Sequence, residues 1–175
     1  AYHGPDGLKC NANTIHSKTG LLAERLSELG CKIYNENYFD TLKVGLPSKG
    51  NIDKLERRAV DKKINFRYFE DNTIGISLDE TTRIKDLNRI IKIFASFSDK
   101  KYIKLETIEK KIYFDDVFVR NSDFLQQDVF NKYHSESDMM RYMKKLERRD
   151  ISLAHSMISL GSCTMKLNSA TSMIP

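Results

Sequence analysis

The chain has 175 residues, 40% hydrophobic and 30% charged, with 29 basic against 24 acidic side chains and a formal charge of +5. That balance suits a folded chain rather than a disordered one, and no apolar run is long enough to cross a bilayer, which argues against a membrane span. Cys10, Cys31 and Cys163 are odd in number and widely spaced, so neither a disulfide framework nor a zinc site is expected, and the basic residues are too mixed with acids to suggest nucleic-acid binding.

From Pro5 to Leu29 the apolar positions Leu8, Ala12, Ile15, Leu22, Leu26 and Leu29 fall mostly at helical spacing, and Gly30 supplies a stop. "CKIYN" and "DTLKVGL" then read as two strands joined by a loop, with Pro47 closing the second. Asn51 is placed to cap a helix through "IDKLERRAVDKK" that turns Ile52, Leu55 and Ala59 inward. "INFRYFE" and "NTIGISLD" alternate Ile64, Phe66 and Tyr68 with Ile74, Ile76 and Leu78 around a turn at "EDN", the pattern of a hairpin. A third helix follows, with Thr81 or Thr82 as the expected cap and Ile84, Leu87, Ile90, Ile91 and Phe94 on its buried stripe.

The order is therefore α-β-β-α-β-β-α over residues 1–97. Locally paired strands with helices between the pairs predict an α+β small domain, a mainly antiparallel sheet with helices on one face. Residues 98–116, highly charged with scattered aromatics, read as a linker. Beyond it, Ser135 or Ser137 caps a helix over 136–149, acidic in its first turn and basic in its last, with Met139, Met140, Met143 and Leu146 on its apolar side.

The segment 155–175, "HSMISLGSCTMKLNSATSMIP", is neither a clear helix nor a clear strand. Lys166 would serve as a base or a covalent catalyst if desolvated, and an exposed loop lysine is the competing reading. Ser162 and Lys166 are four apart, which does not fit the Ser-x-x-Lys spacing of acyl-transfer enzymes. Cys163 is a thiolate nucleophile only if a base such as His155 folds against it, and a buried inert thiol otherwise. Gly161, Ser162 and Thr164 together offer backbone N–H and hydroxyl donors of the kind that hold an anion. His3, His16, His134 and His155 show no ligand spacing, so no metal site is expected.

The run "YHSESDMMRYMKKLERRDISLAHSMISLGSCTMKLNSATSMIP", with "YHGPDGLK", "YFDTLKV", "IGISLDETT", "NSDFL" and "VFNKYHSE" upstream in the same order, resembles glycine dehydrogenase (decarboxylating), the P-protein family of the glycine cleavage system. The string "GSCTMKLN" carries most of the specificity, and the resemblance covers essentially the whole chain. Members are fold-type-I pyridoxal-phosphate oxidoreductases of two homologous halves, of which only the second carries the cofactor.

The resemblance implies that residues 1–97 look like the small C-terminal domain closing the first, cofactor-free half. On the same basis residues 117–175 begin the second half, with 155–175 as a loop near the active site. It places Gly161, Ser162, Cys163, Thr164, Lys166 and Asn168 near substrate or cofactor, and puts the Schiff-base lysine downstream of this segment, so no catalytic residue is assigned here. It also implies glycine as substrate, the remainder of the P-protein and a lipoylated H-protein as partners, and a homodimeric parent. The expected compartment is the bacterial cytoplasm, or alternatively the mitochondrial matrix.

The chain is expected to be an internal fragment at the junction of the two halves, inactive alone. A stand-alone interaction module binding a P-protein or H-protein partner is the alternative. Ser159 stands where the family usually has proline, which leaves the approach to the loop less rigid.

Overall fold

The computed structural model describes residues 1–47, 51–108, 111–113 and 115–149. They fall into two compact units, one of Asp6–Asp123 and one of Ala1–Pro5 with the residues from Phe124 onward. No helix among the described residues is long and apolar enough to cross a membrane.

The first helix, α1, runs Gly4–Glu28. It ends as a Schellman motif: Gly30 at φ +87° lets its own N–H reach Ser27 O at 2.9 Å and the Cys31 N–H reach Leu26 O at 3.0 Å. Gly30 thus stops the helix by closing its last carbonyls, and it directs the chain into β1 (Lys32–Ile33), which pairs antiparallel with β2 (Thr41–Gly45). The Asn35 side chain prolongs that pairing, donating to Thr41 O and accepting from Lys43 N–H, both at 2.8 Å.

Asn51 caps α2 (Ile52–Asp61) as expected, its Oδ1 accepting the Lys54 N–H at 2.9 Å. β3 (Arg67–Tyr68) and β4 (Thr73–Ser77) form the expected hairpin. Asn72 turns it at φ +59°, and the Asp71 carboxylate accepts the Thr73 N–H at 3.1 Å and pairs with Lys43 at 2.6 Å. The hydrogen bond from Lys43, followed by that from Thr73, pulls the Asp71 carboxyl down to about 2.

The start of α3 (Ile84–Ala95) corrects the expected cap. Neither Thr81 nor Thr82 caps it, because both hydroxyls donate to the Asp79 carboxylate, at 2.8 and 2.9 Å. Arg83 is the N-cap instead, and Asp86 reaches back to its N–H at 3.1 Å.

All pairings are antiparallel and the strand order is β1-β2-β4-β3. The register sets Leu42 opposite Ile76 and Val44 opposite Ile74, so one face of the central pair is wholly apolar. Against it pack Leu22 and Leu26 of α1, Leu55 and Ala59 of α2, and Leu87, Ile91 and Phe94 of α3. Both edge strands are two residues long, which limits edge-to-edge pairing with other chains. On the opposite face Tyr34 and Phe69 lie over Gly45 and Gly75, filling the room those glycines leave.

After α3 the described residues up to 113 form no helix or strand, and they pack back on the domain. Asn88 holds it there with one side chain, donating to Leu105 O and accepting from Leu105 N–H, both at 2.9 Å, while Tyr102 Oη donates to the same Asn88 oxygen at 2.7 Å. Leu105 is buried in the core. In the other unit, Ser135 caps α4 (Glu136–Glu147) through the Asp138 N–H at 3.1 Å, and Tyr133 stacks on Tyr142 with centroids 4.2 Å apart. Met140, Met143 and Leu146 on α4 are exposed.

Candidate functional site

The residues singled out in the sequence, Gly161, Ser162, Cys163, Thr164, Lys166 and Asn168, lie outside the described residues, as does His155. The described part instead holds a buried polar cluster in the middle of α1, where "HSKTG" (16–20) is enclosed on every side. A polar run buried in a helix is costly unless each group finds a partner. Here the partners are backbone groups of three segments that lie far away in sequence.

His16, 1% exposed, approaches Phe39 O with Nδ1 at 3.1 Å and Tyr113 N with Nε2 at 2.8 Å. Because the backbone N–H can only donate and the carbonyl can only accept, the ring is the neutral tautomer that carries its proton on Nδ1. The Phe39 ring lies parallel to it, centroids 6.0 Å apart, and the Tyr113 ring meets it edge-on at 5.9 Å. Ser17 Oγ accepts the Lys111 N–H at 3.0 Å and lies 2.7 Å from Asn13 O, to which it donates. Lys18, 5% exposed, donates from Nζ to Asp79 O at 3.3 Å and Glu80 O at 3.0 Å. Thr19 donates back to Ile15 O at 3.0 Å, the bond by which a buried threonine satisfies itself on a helix.

These contacts gather the segment before β2 and the segment after β4 at one end of the sheet, where Thr41 pairs with Ser77. The second segment is stiff in itself. Asp79 accepts from Thr81 Oγ1, Thr82 Oγ1 and the Thr82 N–H, and these bonds, led by that from Thr81, hold its carboxyl below the ordinary aspartate range. The chemistry of the cluster is thus positional: His16 spends both ring nitrogens on backbone, and Lys18 places its charge on carbonyls. His16 thus presents neither a lone pair nor a proton to a bound molecule, and Lys18 has two of its three donors engaged on backbone. Periodicity could not flag these residues, since their spacing is that of a polar face. The only sequence sign was the gap in the apolar stripe between Ile15 and Leu22.

The two described cysteines differ in reactivity. Burial pushes the Cys31 thiol up to about 12, whereas Cys10 is exposed on α1. The thiolate is the nucleophile, so at neutral pH a maleimide or disulfide reagent is expected to label Cys10 within minutes and Cys31 only after denaturant is added. Peptide mapping checks this; early labelling of Cys31 would contradict the buried placement.

A family model described as the glycine cleavage system P-protein matches residues 1–94. Among curated proteins, the chain is similar to glycine dehydrogenase (decarboxylating) of Bacteroides thetaiotaomicron, 46% identical over 174 residues, which is 99% of this chain and 18% of that protein. It is 47% identical over 174 residues to the protein of that name from Christiangramia forsetii, again 99% of this chain and 18% of the relative. The mitochondrial protein of that name from Homo sapiens is 46% identical over 175 residues, 99% of this chain and 17% of the relative. The chain spans about 18% of the length of such relatives.

Proposed function

Because the chain belongs to the glycine cleavage system P-protein family, we propose that it is part of a glycine dehydrogenase (decarboxylating) and works only within the larger enzyme. The observation that carries this is the extent of the match: the alignment with the Bacteroides thetaiotaomicron protein takes in 99% of this chain at 46% identity, and so nearly all of the segment 150–175 as well as the described residues. Two features of the structure support the fragment reading. Met140, Met143 and Leu146 on α4, and Ile112, Val117 and Phe118, expose apolar surface of the kind that a larger assembly covers. The buried polar cluster on α1 holds loops in place and leaves the chemistry to other residues.

In this reading residues 1–97 close the first half of the parent enzyme, 98–116 connect, and 117–175 begin the second half. The parent takes glycine, releases its carboxyl group as carbon dioxide, and passes the aminomethyl remainder to the lipoyl group of the H-protein. Pyridoxal phosphate, when bound, serves as the electron sink for that decarboxylation. The described residues do not fit this cofactor. Lys18, a buried lysine, is committed to two carbonyl oxygens, which supports the reading that the cofactor-binding lysine lies elsewhere in the parent.

The roles left to this chain are binding and orientation. The hydroxyl and backbone donors of Ser162, Thr164 and Gly161 would hold an anionic group, Lys166 would balance its charge, and Cys163 and Asn168 would line the same loop. A homodimeric parent, in the bacterial cytoplasm or the mitochondrial matrix, completes the proposal. It agrees with relatives from bacteria and with one named mitochondrial.

The test is made in the full-length enzyme carrying this segment. Thr164→Ala and Lys166→Ala are each expected to lower kcat/KM for glycine by about 10- to 100-fold, the range for losing a positioned donor or a charge-assisted bond. Kinetics equal to the parent in both variants would remove the loop from the active site. The 175-residue chain, given glycine, pyridoxal phosphate and lipoylated H-protein, is expected to release no carbon dioxide; release would overturn the fragment reading.

A further inference from the structure

His16 joins α1 to the stretch 111–113 through a bond that only one protonation state of its ring can make. We propose that His16 is an acid-sensitive latch: protonation of the ring releases Tyr113 from α1 while the rest of the domain stays folded. With Nδ1–H donating to Phe39 O at 3.1 Å and Nε2 accepting the Tyr113 N–H at 2.8 Å, the neutral ring satisfies both backbone groups. A second proton goes on Nε2, the nitrogen that faces an N–H, and two donors do not bond each other. The imidazolium can keep Phe39 O but loses Tyr113. At 1% exposure the new charge meets no solvent in place, so it is accommodated when Tyr113 lifts and water enters.

The titratable and charged groups about the ring come from three elements. Tyr38 and Asp40 belong to the segment before β2, Lys111 and Tyr113 to the stretch after α3, and Glu24 lies two turns further along α1. The phenols carry no charge below neutrality. Asp40 accepts the Thr41 hydroxyl at 2.9 Å, and Glu24 pairs with the Lys111 ammonium at 3.0 Å. Lys18, the nearest cation on α1, turns to the carbonyls of Asp79 and Glu80, and the Asp79 carboxylate is taken up by Thr81 and Thr82. Because both ring nitrogens of His16 already hold backbone groups, a carboxylate could pair with the ring only by displacing one of them.

The chain after α3 has a second anchor, of different chemistry. Asn88 donates to Leu105 O and accepts the Leu105 N–H, both at 2.9 Å, and a side-chain amide does not titrate. Leu105 is buried in the core besides. Acid therefore acts on the anchor at Tyr113 and spares the one at Leu105, which confines the opening. What the opening uncovers is the face of α1 at Gly20, where an added Cβ would lie 2.0–2.3 Å from the Tyr113 ring that now covers it. The sign follows from proton counting. The attached ring carries one proton, and the released ring takes a second below the ordinary imidazole value of about 6.5. The released form binds more protons, so falling pH favours it, by about tenfold per pH unit below that value. This latch is independent of the glycine chemistry proposed for the tail.

Amide hydrogen exchange of the 175-residue chain, followed by NMR and corrected for the intrinsic pH dependence of exchange, tests the latch. Between about pH 7 and 4.5 the protection of the Tyr113 amide is expected to fall on the order of 100-fold, while the Leu105 amide and those of β2 and β4 keep theirs within about threefold. In His16→Gln the side-chain oxygen can accept the Tyr113 N–H and does not titrate, so the acid-dependent loss is expected to vanish. If that variant leaves Tyr113 unprotected at every pH, the ring nitrogens of the unsubstituted chain decide, through their 15N shifts. Protonation of Nε2 over the same pH range as the opening of Tyr113 supports the latch, and opening while Nε2 stays unprotonated overturns it. Tyr113 protection that stays constant with pH, a parallel loss at Leu105 and the central strands, or the same acid-dependent loss in His16→Gln would also overturn it.

Discussion

Truncating His16 to alanine is expected to destabilise the domain by about 3 kcal/mol or more, and to release the chain at Tyr113 before the rest unfolds. The substitution strands two buried backbone groups, the Phe39 carbonyl and the Tyr113 N–H, now bonded at 3.1 and 2.8 Å. An unsatisfied buried group costs about 1–3 kcal/mol, and the vacated ring volume adds a cavity term. Urea unfolding measures the total, and hydrogen exchange locates it: the Tyr113 amide should lose its protection in His16→Ala while amides of the central strands keep theirs.

Gly20→Ala provides a second approach to the same joint. Alanine in a helix is ordinarily better than glycine by about 1 kcal/mol. At this position, however, an added Cβ would meet the Tyr113 ring at 2.0–2.3 Å, at its base as well as along its edge. The sign is therefore expected to reverse, with the Tyr113 amide again deprotected. Protection unchanged in both variants would mean that His16 and Gly20 do not hold the return segment.

The parts of this structure that sequence could deliver are those in which one side chain's environment is set by near neighbours. α2 and α3 repeat their apolar residues at helical spacing, β4 alternates, Asn51 caps, and Gly30 stops α1, all local physics. The cap of α3 departs from the sequence expectation for an equally local reason: Asp79 takes both threonine hydroxyls. The polar cluster belongs to another category. His16, Ser17 and Lys18 are satisfied by backbone groups 23 to 97 residues away, and no pattern within α1 encodes those partners. The charged run after α3 likewise conceals Tyr102 and Leu105, whose anchoring depends on the single side chain of Asn88. The segment 161–168 stands out by its residue types and by its resemblance to one family, and it lies outside the described residues.

Phe94→Ala is expected to have the largest effect of any single truncation, about 3–5 kcal/mol. The ring is fully buried and meets Phe66 edge-on, with centroids 5.9 Å apart. It belongs to the cluster in which all three helices of the domain reach the apolar face of β2 and β4, so no single element can move to fill the space it leaves. Against a usual stability of about 5–15 kcal/mol, that loss would leave part of the population unfolded at 37 °C. Met143→Ala makes the informative contrast. Met143 lies on α4 and is 47% exposed, so its truncation in the isolated chain should change stability by no more than about 0.5 kcal/mol. In the full-length enzyme the same truncation should cost about 2 kcal/mol or more, because the proposed assembly buries that stripe. A cost for Met143→Ala that stayed near zero in the full-length enzyme would show that α4 keeps its apolar side in solvent, and would leave only Ile112, Val117 and Phe118 as exposed apolar surface in support of the fragment reading. A small cost for Phe94→Ala would instead mean that the three helices do not share one core.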